Sequence, residues 1–291
     1  MADNIPILGV CFSGKRLLYA VSKPDADVGE VFQVGCIDYS FDVLEAFVNQ
    51  DSEMFSGIYN AIGRLKNEYD IHEMRILTLP EEECWTIFPK TVYDAQEDLE
   101  AHISAVTHGM EDKRADPEWF TLSNRDYKMA AFRSEIYLQS LNKLTNDASQ
   151  VHYYSDFEIG TRWIDHSKST GSFLTVSCHK NLISISSFIL GKLRAATYIN
   201  FQDINDLPYF WLQNTNNLTW LNGLYDQILV YGYESYKVVE MLHPFWEDNA
   251  EIVTMDSLEK MQVKANEKTY SFNLDEAFPA IMLALGSNSE D

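Results

Sequence analysis

Residues 171–200 read GSFLTVSCHKNLISISSFILGKLRAATYIN, and this stretch decides the fold. Three short apolar runs are separated by turn-forming residues, the pattern of an antiparallel meander. Ser172 to Ser177 is the first strand, His179-Lys180-Asn181 the turn, Leu182 to Ile189 the second strand, and Leu193 to Ile199 the third after Gly191-Lys192. The N-terminus repeats the plan, with Ile7 to Phe12, a turn at Ser13-Gly14-Lys15, Leu17 to Ser22, and a third strand at Val31 to Ile37. Two such meanders, half a chain apart, predict a duplicated α/β fold.

Composition bounds what such a fold can do. A chain of 291 residues with 46% hydrophobic residues has apolar material enough for two lobes of ordinary size. Its net charge of −22, from 44 acidic against 22 basic residues, opposes general affinity for nucleic acid or an anionic bilayer. The same acidity favours solubility and can steer a basic partner. The start, MADNIPILGV, has no basic region followed by a long apolar run, and no uninterrupted apolar stretch approaches the roughly twenty residues of a membrane span. Cys11, Cys36, Cys84 and Cys178 form no Cys-x-x-Cys pair and are expected as reduced thiols. A soluble cytoplasmic chain is the expectation.

After the first meander, Phe55, Ile58, Ile62, Leu65 and Tyr69 recur at helical spacing and predict an amphipathic helix from Ser52 to Tyr69. Glu73 to Leu79 then reads as a strand closed by Pro80. Trp85 to Phe88 is a short strand, Tyr93 to Thr107 a helix, His108 to Pro117 an exposed loop, Glu118 to Leu122 and Tyr127 to Phe132 two strands, and Ser134 to Thr145 a helix. These elements predict a subdomain inserted over residues 80–150 of a first lobe, 1–166. Val151 to Tyr154 returns as a strand, and a helix around Asp156 to Asp165 leads to a second lobe, 167–291. Beyond its meander come a mostly helical region from Asp203 to Trp220, which Asn214 to Asn217 can break, and a strand from Gln227 to Tyr231. A helix from Ser235 to Trp246, a strand from Glu251 to Met255, a charged surface segment from Glu259 to Phe272, and a helix from Leu274 to Leu285 ending at Gly286 complete the chain.

Two copies of meander, helix, strand and helix resemble the duplicated ribonuclease H-like lobes of the actin, sugar kinase and heat-shock ATPase superfamily. Within it the chain looks most like the PilM-type platform proteins of type IV pili and the cytoplasmic domain of GspL-type secretion proteins, or a bacterial family of the same degenerate fold without a pilus role. Four segments carry this resemblance: Ile7-Leu8-Gly9-Val10 with Leu17 to Val21, Arg75 to Pro80 with Phe88-Pro89, Phe173 to Ile199, and EAFPAIMLALG at 276–286. The last is similar to the family's closing helix, whose small residues let it pack close to the nucleotide cleft. The resemblance implies a scaffold or adaptor whose inserted subdomain receives a protein partner, such as the short cytoplasmic segment of a membrane protein, and which reaches the inner face of the membrane through it. Trp85, Phe88, Trp119 and Phe120 are candidate anchors there, with aromatic core packing as the competing reading.

The residues qualify the activity that the superfamily implies. In an active member the first hairpin carries an acid that holds magnesium through water, while the turn's N–H groups meet phosphate. Here Gly9-Val10-Cys11-Phe12-Ser13-Gly14-Lys15 places Cys11 or Val10 there, and neither supplies a hard oxygen ligand. The second hairpin, Ser177-Cys178-His179-Lys180-Asn181, lacks its acid too, and of the paired glycines implied near the adenosine only Gly232 is present. No catalytic residue, metal or cofactor is expected. The alternative is an ATP-binding protein that uses magnesium with atypical contacts at Ser13, Gly14, Lys15, His179, Lys180 and Gly232. Plain hairpin turns are the competing reading of the same residues. The histidines show no His-x-x-x-His or His-Glu-x-x-His spacing, so a zinc hydrolase has no support.

Overall fold

The computed structural model describes residues 6–22, 30–49, 52–108, 116–124, 126–145, 150–248, 250–265 and 270–285. Gly286 and parts of the loops at 108–117 and 259–272 lie outside the described residues. In chain order the first elements are β1 (Ile7–Ser13), β2 (Arg16–Ser22), β3 (Glu30–Val31), β4 (Gln33–Asp38), α1 (Val43–Val48), α2 (Glu53–Tyr69) and β5 (Glu73–Leu77). Then come β6 (Glu83–Pro89), α3 (Lys90–Asp94), α4 (Gln96–Val106), β7 (Glu118–Thr121), β8 (Tyr127–Arg133), α5 (Glu135–Thr145), β9 (Gln150–Tyr154) and α6 (Ile159–Ser167). The remainder is β10 (Phe173–Cys178), β11 (Leu182–Ile189), β12 (Lys192–Asn200), α7 (Leu207–Asn217), β13 (Gln227–Gly232), α8 (Ser235–Trp246), β14 (Glu251–Thr254), β15 (Lys264–Ala265) and α9 (Leu274–Leu285).

Two five-stranded sheets share one plan. Their orders are β4-β2-β1-β5-β9 and β12-β11-β10-β13-β14. In each, three meander strands pair antiparallel and two crossover strands add parallel to the first. The same order and the same directions, twice, make the duplicated ribonuclease H-like arrangement.

Helices α6 and α9 fill the space between the sheets, where Trp163 and Phe278 pack with Leu18, Leu77, Phe188 and Tyr231 in one cluster. Helix α9 is buried from Asp275 to Ala284 because it lies across β1, β2 and β5 and also touches β13. Its last carbonyls are satisfied by the buried Arg75, whose Nη1 donates to Leu283 O at 3.0 Å, and by Ser22 Oγ, which donates to Ala284 O. The outer face of the first sheet is covered by α1, α2 and α5, and that of the second by α7 and α8. Helix α2 starts at Ser52, whose Oγ accepts from Phe55 N, and buries the face spaced as Phe55, Ile58, Ile62 and Leu65.

Two local expectations are corrected and one is met. The helix read over 93–107 is broken at Ala95, whose extended backbone lets Tyr93 pack on Trp119 while Leu99 and Ile103 pack around Phe88. The helical region does stop at its asparagines: α7 ends at Asn217, Leu218 leaves helical geometry with φ of −115° and ψ of 78°, and its N donates to Asn214 O as the last turn closes. The charged segment after β14 is not all surface: Met261 and Val263 are buried in the central cluster, and β15 pairs parallel with β3.

The inserted elements form a third sheet of order β6-β8-β7. It is tied to the first sheet by Glu83, whose fully buried carboxylate accepts from Arg133 Nε at 2.6 Å, Trp85 Nε1 at 2.7 Å, Ser155 Oγ at 3.0 Å, and Thr78 Oγ1. Arg133 also reaches Glu118 at 2.5 Å and Ser155 Oγ at 2.9 Å.

Candidate functional site

Two hollows matter, and the first lies where the hairpin turns meet. Ser13 and Gly14 from the β1–β2 turn face His179, Lys180 and Asn181 from the β10–β11 turn across a cavity of 210 Å³. Lys15 is exposed and Gly232 lies elsewhere, so neither lines it. The remaining charged lining is acidic: Asp42, Glu45 and Glu81. Lys180 Nζ is 3.5 Å from Asp42 Oδ2, and neighbouring Arg16 is held by Asp38 and Glu276, each at 2.9 Å. The turn carbonyls of Gly14 and Lys15 accept from Val43 N and Tyr39 N, which fastens the hairpin to the start of α1.

His179 is turned inward. Its Nε2 is 2.8 Å from Asp156 Oδ2 and 3.1 Å from Ser177 Oγ, and Asp156 also accepts from Ser184 Oγ. Serine and aspartate share a single ring nitrogen, so the trio lacks the two-sided imidazole of a nucleophilic relay. Burial alone would lower the His179 pKa, but the Asp156 carboxylate outweighs it and the net direction is upward. The imidazole is thus engaged by Asp156. At the hairpin's inner end Cys11 is buried, its thiol donating to Glu276 O at 3.5 Å, and desolvation raises its pKa far above the usual thiol range. Gly232 has φ of 103°, and a Cβ there would lie 2.4 Å from Cys178 O, so this glycine serves the approach of β13 to β10. A volume below the usual 300–1,000 Å³ of ligand sites, a mainly acidic lining and cations already paired do not fit a magnesium-bound triphosphate.

The second hollow is a groove of 820 Å³ between the inserted sheet, the first sheet, α6 and the β11–β12 hairpin. One wall is β7 and the other is β9, each the end strand of its sheet. Gln150 N donates to His72 O and Tyr154 O accepts from Thr78 N, so these residues point their backbone groups at β5. Strand alternation then turns the N–H and C=O of Val151 and Tyr153 to the outer edge, where no described strand pairs with them. Phe157 forms the floor, in edge contact with Trp85 at 4.9 Å and Phe120 at 4.8 Å. Arg162 lies 4.4 Å over the Tyr154 ring. Of the four candidate anchors, Trp85 and Phe88 are core residues, while the half-buried Trp119 and Phe120 line the groove.

Glu158 gives this groove a carboxyl that sequence patterning did not reveal, although Ser155 and Glu158 stand at capping-box spacing. Its Oε2 accepts from Ser155 N at 2.7 Å, and burial pushes its pKa up to about 8. The folded value exceeds the unfolded one of 4.5, so the stability carried by the bound proton is full below pH 4.5 and is lost as pH rises through about 8. Glu158→Gln keeps the acceptor for Ser155 and is expected to flatten the urea-unfolding profile across that window. Above it the variant should exceed the parent by about 1–2 kcal/mol.

No family model matches the sequence, and no curated protein matches it. Solved structures do match. A Bacteroides thetaiotaomicron protein with an actin-like ATPase fold and unknown function aligns at 16% identity and TM-score 0.54, over 90% of this chain and 97% of that one. The PilM–PilN type IV pilus biogenesis complex aligns at 12% identity and TM-score 0.66, over 97% of this chain and 98% of that one. The cytoplasmic domain of EpsL, an inner membrane component of the type II secretion system of Vibrio cholerae, aligns at 10% identity and TM-score 0.50, over 95% and 94%. Identities this low speak to architecture alone, and the chain has the actin-like ATPase fold.

Proposed function

We propose that this chain is a noncatalytic actin-like scaffold that holds an extended segment of a protein partner between β7 and β9. One observation carries the reading: two strand edges that are unpaired among the described residues border a single groove, so a strand laid there gains main-chain hydrogen bonds while side-chain pockets select its sequence. The pilus and secretion assemblies to which the similar structures belong support a partner that is the short cytoplasmic tail of a membrane protein. Recruitment is then through that tail, on the cytoplasmic side. Among the described residues no helix is long and apolar enough to cross a membrane.

Val151→Pro tests the groove. Proline removes an outward N–H that β5 does not use, which an edge strand tolerates, yet it blocks strand addition. In a pull-down from native membranes the parent is expected to retain a partner whose recovery falls at least tenfold with the variant, while circular dichroism shows the variant folded. Equal recovery overturns the reading. Calorimetric titration with magnesium-ATP is expected to give no saturable heat at micromolar concentration; saturation there favours the ATP-binding alternative.

A further inference from the structure

We propose that a second groove, beyond the Ser123 N–Leu193 O hydrogen bond, docks an acidic partner segment that carries an aliphatic or aromatic anchor. This groove, 580 Å³, lies between the inserted sheet and the β11–β12 hairpin. Its charge singles it out. In a protein of net charge −22, its ten lining residues include Lys192 and Arg194 and no Asp or Glu. Both cations are exposed, neither is in an ion pair among the described residues, and both line the groove, Arg194 from the bulge in β12 where Leu193 stands opposite Phe188 and Ala195 opposite Ser187. At physiological salt the screening length of about 8 Å confines an incoming segment to the charges it touches, so the distant acidic surface does not cancel the pair.

The apolar half of the groove is equally unusual. Ile87 and Tyr127 are more than two-fifths exposed, and Leu190, at the hairpin tip, is 76% exposed. Leu190 has φ of 52° and Gly191 φ of 73°, so the tip is a two-residue turn with both central residues left-handed. Such a turn favours asparagine, aspartate or glycine in its first place, whereas a leucine there is strained and gains little burial within its own chain. The strained leucine, two neighbouring apolar side chains and two unpaired cations compose a site whose complement is an acidic segment with an apolar residue among its carboxylates.

The test uses the full chain and a phage-displayed random dodecapeptide library, with counter-selection on the Lys192→Glu/Arg194→Glu variant. Enriched peptides are expected to be acidic with a Leu, Ile or Phe. In fluorescence anisotropy they should bind the double variant at least tenfold more weakly and lose affinity as salt rises. They should bind Val151→Pro as tightly as the parent, which separates this groove from the one bounded by β9. Leu190→Asn should weaken them about tenfold while raising the melting temperature by about 2–3 °C, because asparagine tolerates the left-handed turn. Enrichment of basic or neutral peptides, failure to enrich any, undiminished binding to the double variant, or loss of binding in Val151→Pro each overturns the proposal.

Discussion

Replacing Arg133 by methionine is expected to lower the unfolding free energy by about 3–5 kcal/mol, the loss that follows when one member of a buried ion pair is removed. The Glu83 side chain is fully buried, and among the described residues the cation that meets it is the Arg133 guanidinium. Without that charge the carboxylate keeps only the hydroxyls of Thr78 and Ser155 and the Trp85 N–H, and these cannot offset its desolvation. Glu83→Gln/Arg133→Met removes both charges and should recover at least about 2 kcal/mol relative to the sum of the single variants. Urea titration followed by tryptophan fluorescence measures both quantities, with Trp85 next to the node as reporter. Additivity of the two single variants is the result that contradicts this account. The effect reaches the groove, because Arg133 lines it and its bond to Glu118 holds the start of β7.

This node shows where sequence reading stops. The duplication was legible because it is local: each meander writes its strands and turns in consecutive residues, and the helix at 53–69 displays its buried face as spacing. Which strands end a sheet is not local. Val151 to Tyr154 looks like any short strand, and only the order of the assembled sheet makes it an edge with two outward-facing residues. His179 is similar. Beside Lys180 it reads as turn charge, yet Asp156, 23 residues earlier, draws it inward and occupies its Nε2. The missing acid at Cys11 was visible directly, whereas the excess of carboxylates from Asp42, Glu45 and Glu81 appears only once the loops are brought together. The aromatics at 85–120 carried both readings, anchor and core, because burial decides between them, and Trp85 and Phe88 follow the core reading.

Gly9→Ala should disturb the molecule at its centre. The strand β1 passes α9 so closely that a Cβ on residue 9 would lie 2.1 Å from Ala280 O and 2.8 Å from Ala284 N. Both obstacles are backbone atoms of a helix buried along its length, so no side chain can swing away, and α9 must lift from β1 or unwind locally. Lifting α9 also opens its contacts with β2, β5 and β13, which join the two sheets. The expected loss is about 3 kcal/mol or more, at the upper end of overpacking effects. A control separates the steric cause from the general one of placing alanine for glycine. Gly14 has a left-handed φ of 56° but nothing within 4 Å of where a Cβ would sit, so Gly14→Ala carries only the turn's conformational penalty, about 1 kcal/mol. Thermal unfolding ranks the two, and hydrogen exchange locates the damage. In Gly9→Ala the amides of α9 and β1 should exchange faster while those of α7 and α8, on the far face of the second sheet, keep their protection. Equal stability of the two variants would show that α9 has room to move, and the close contact at Gly9 would then not be what joins the sheets.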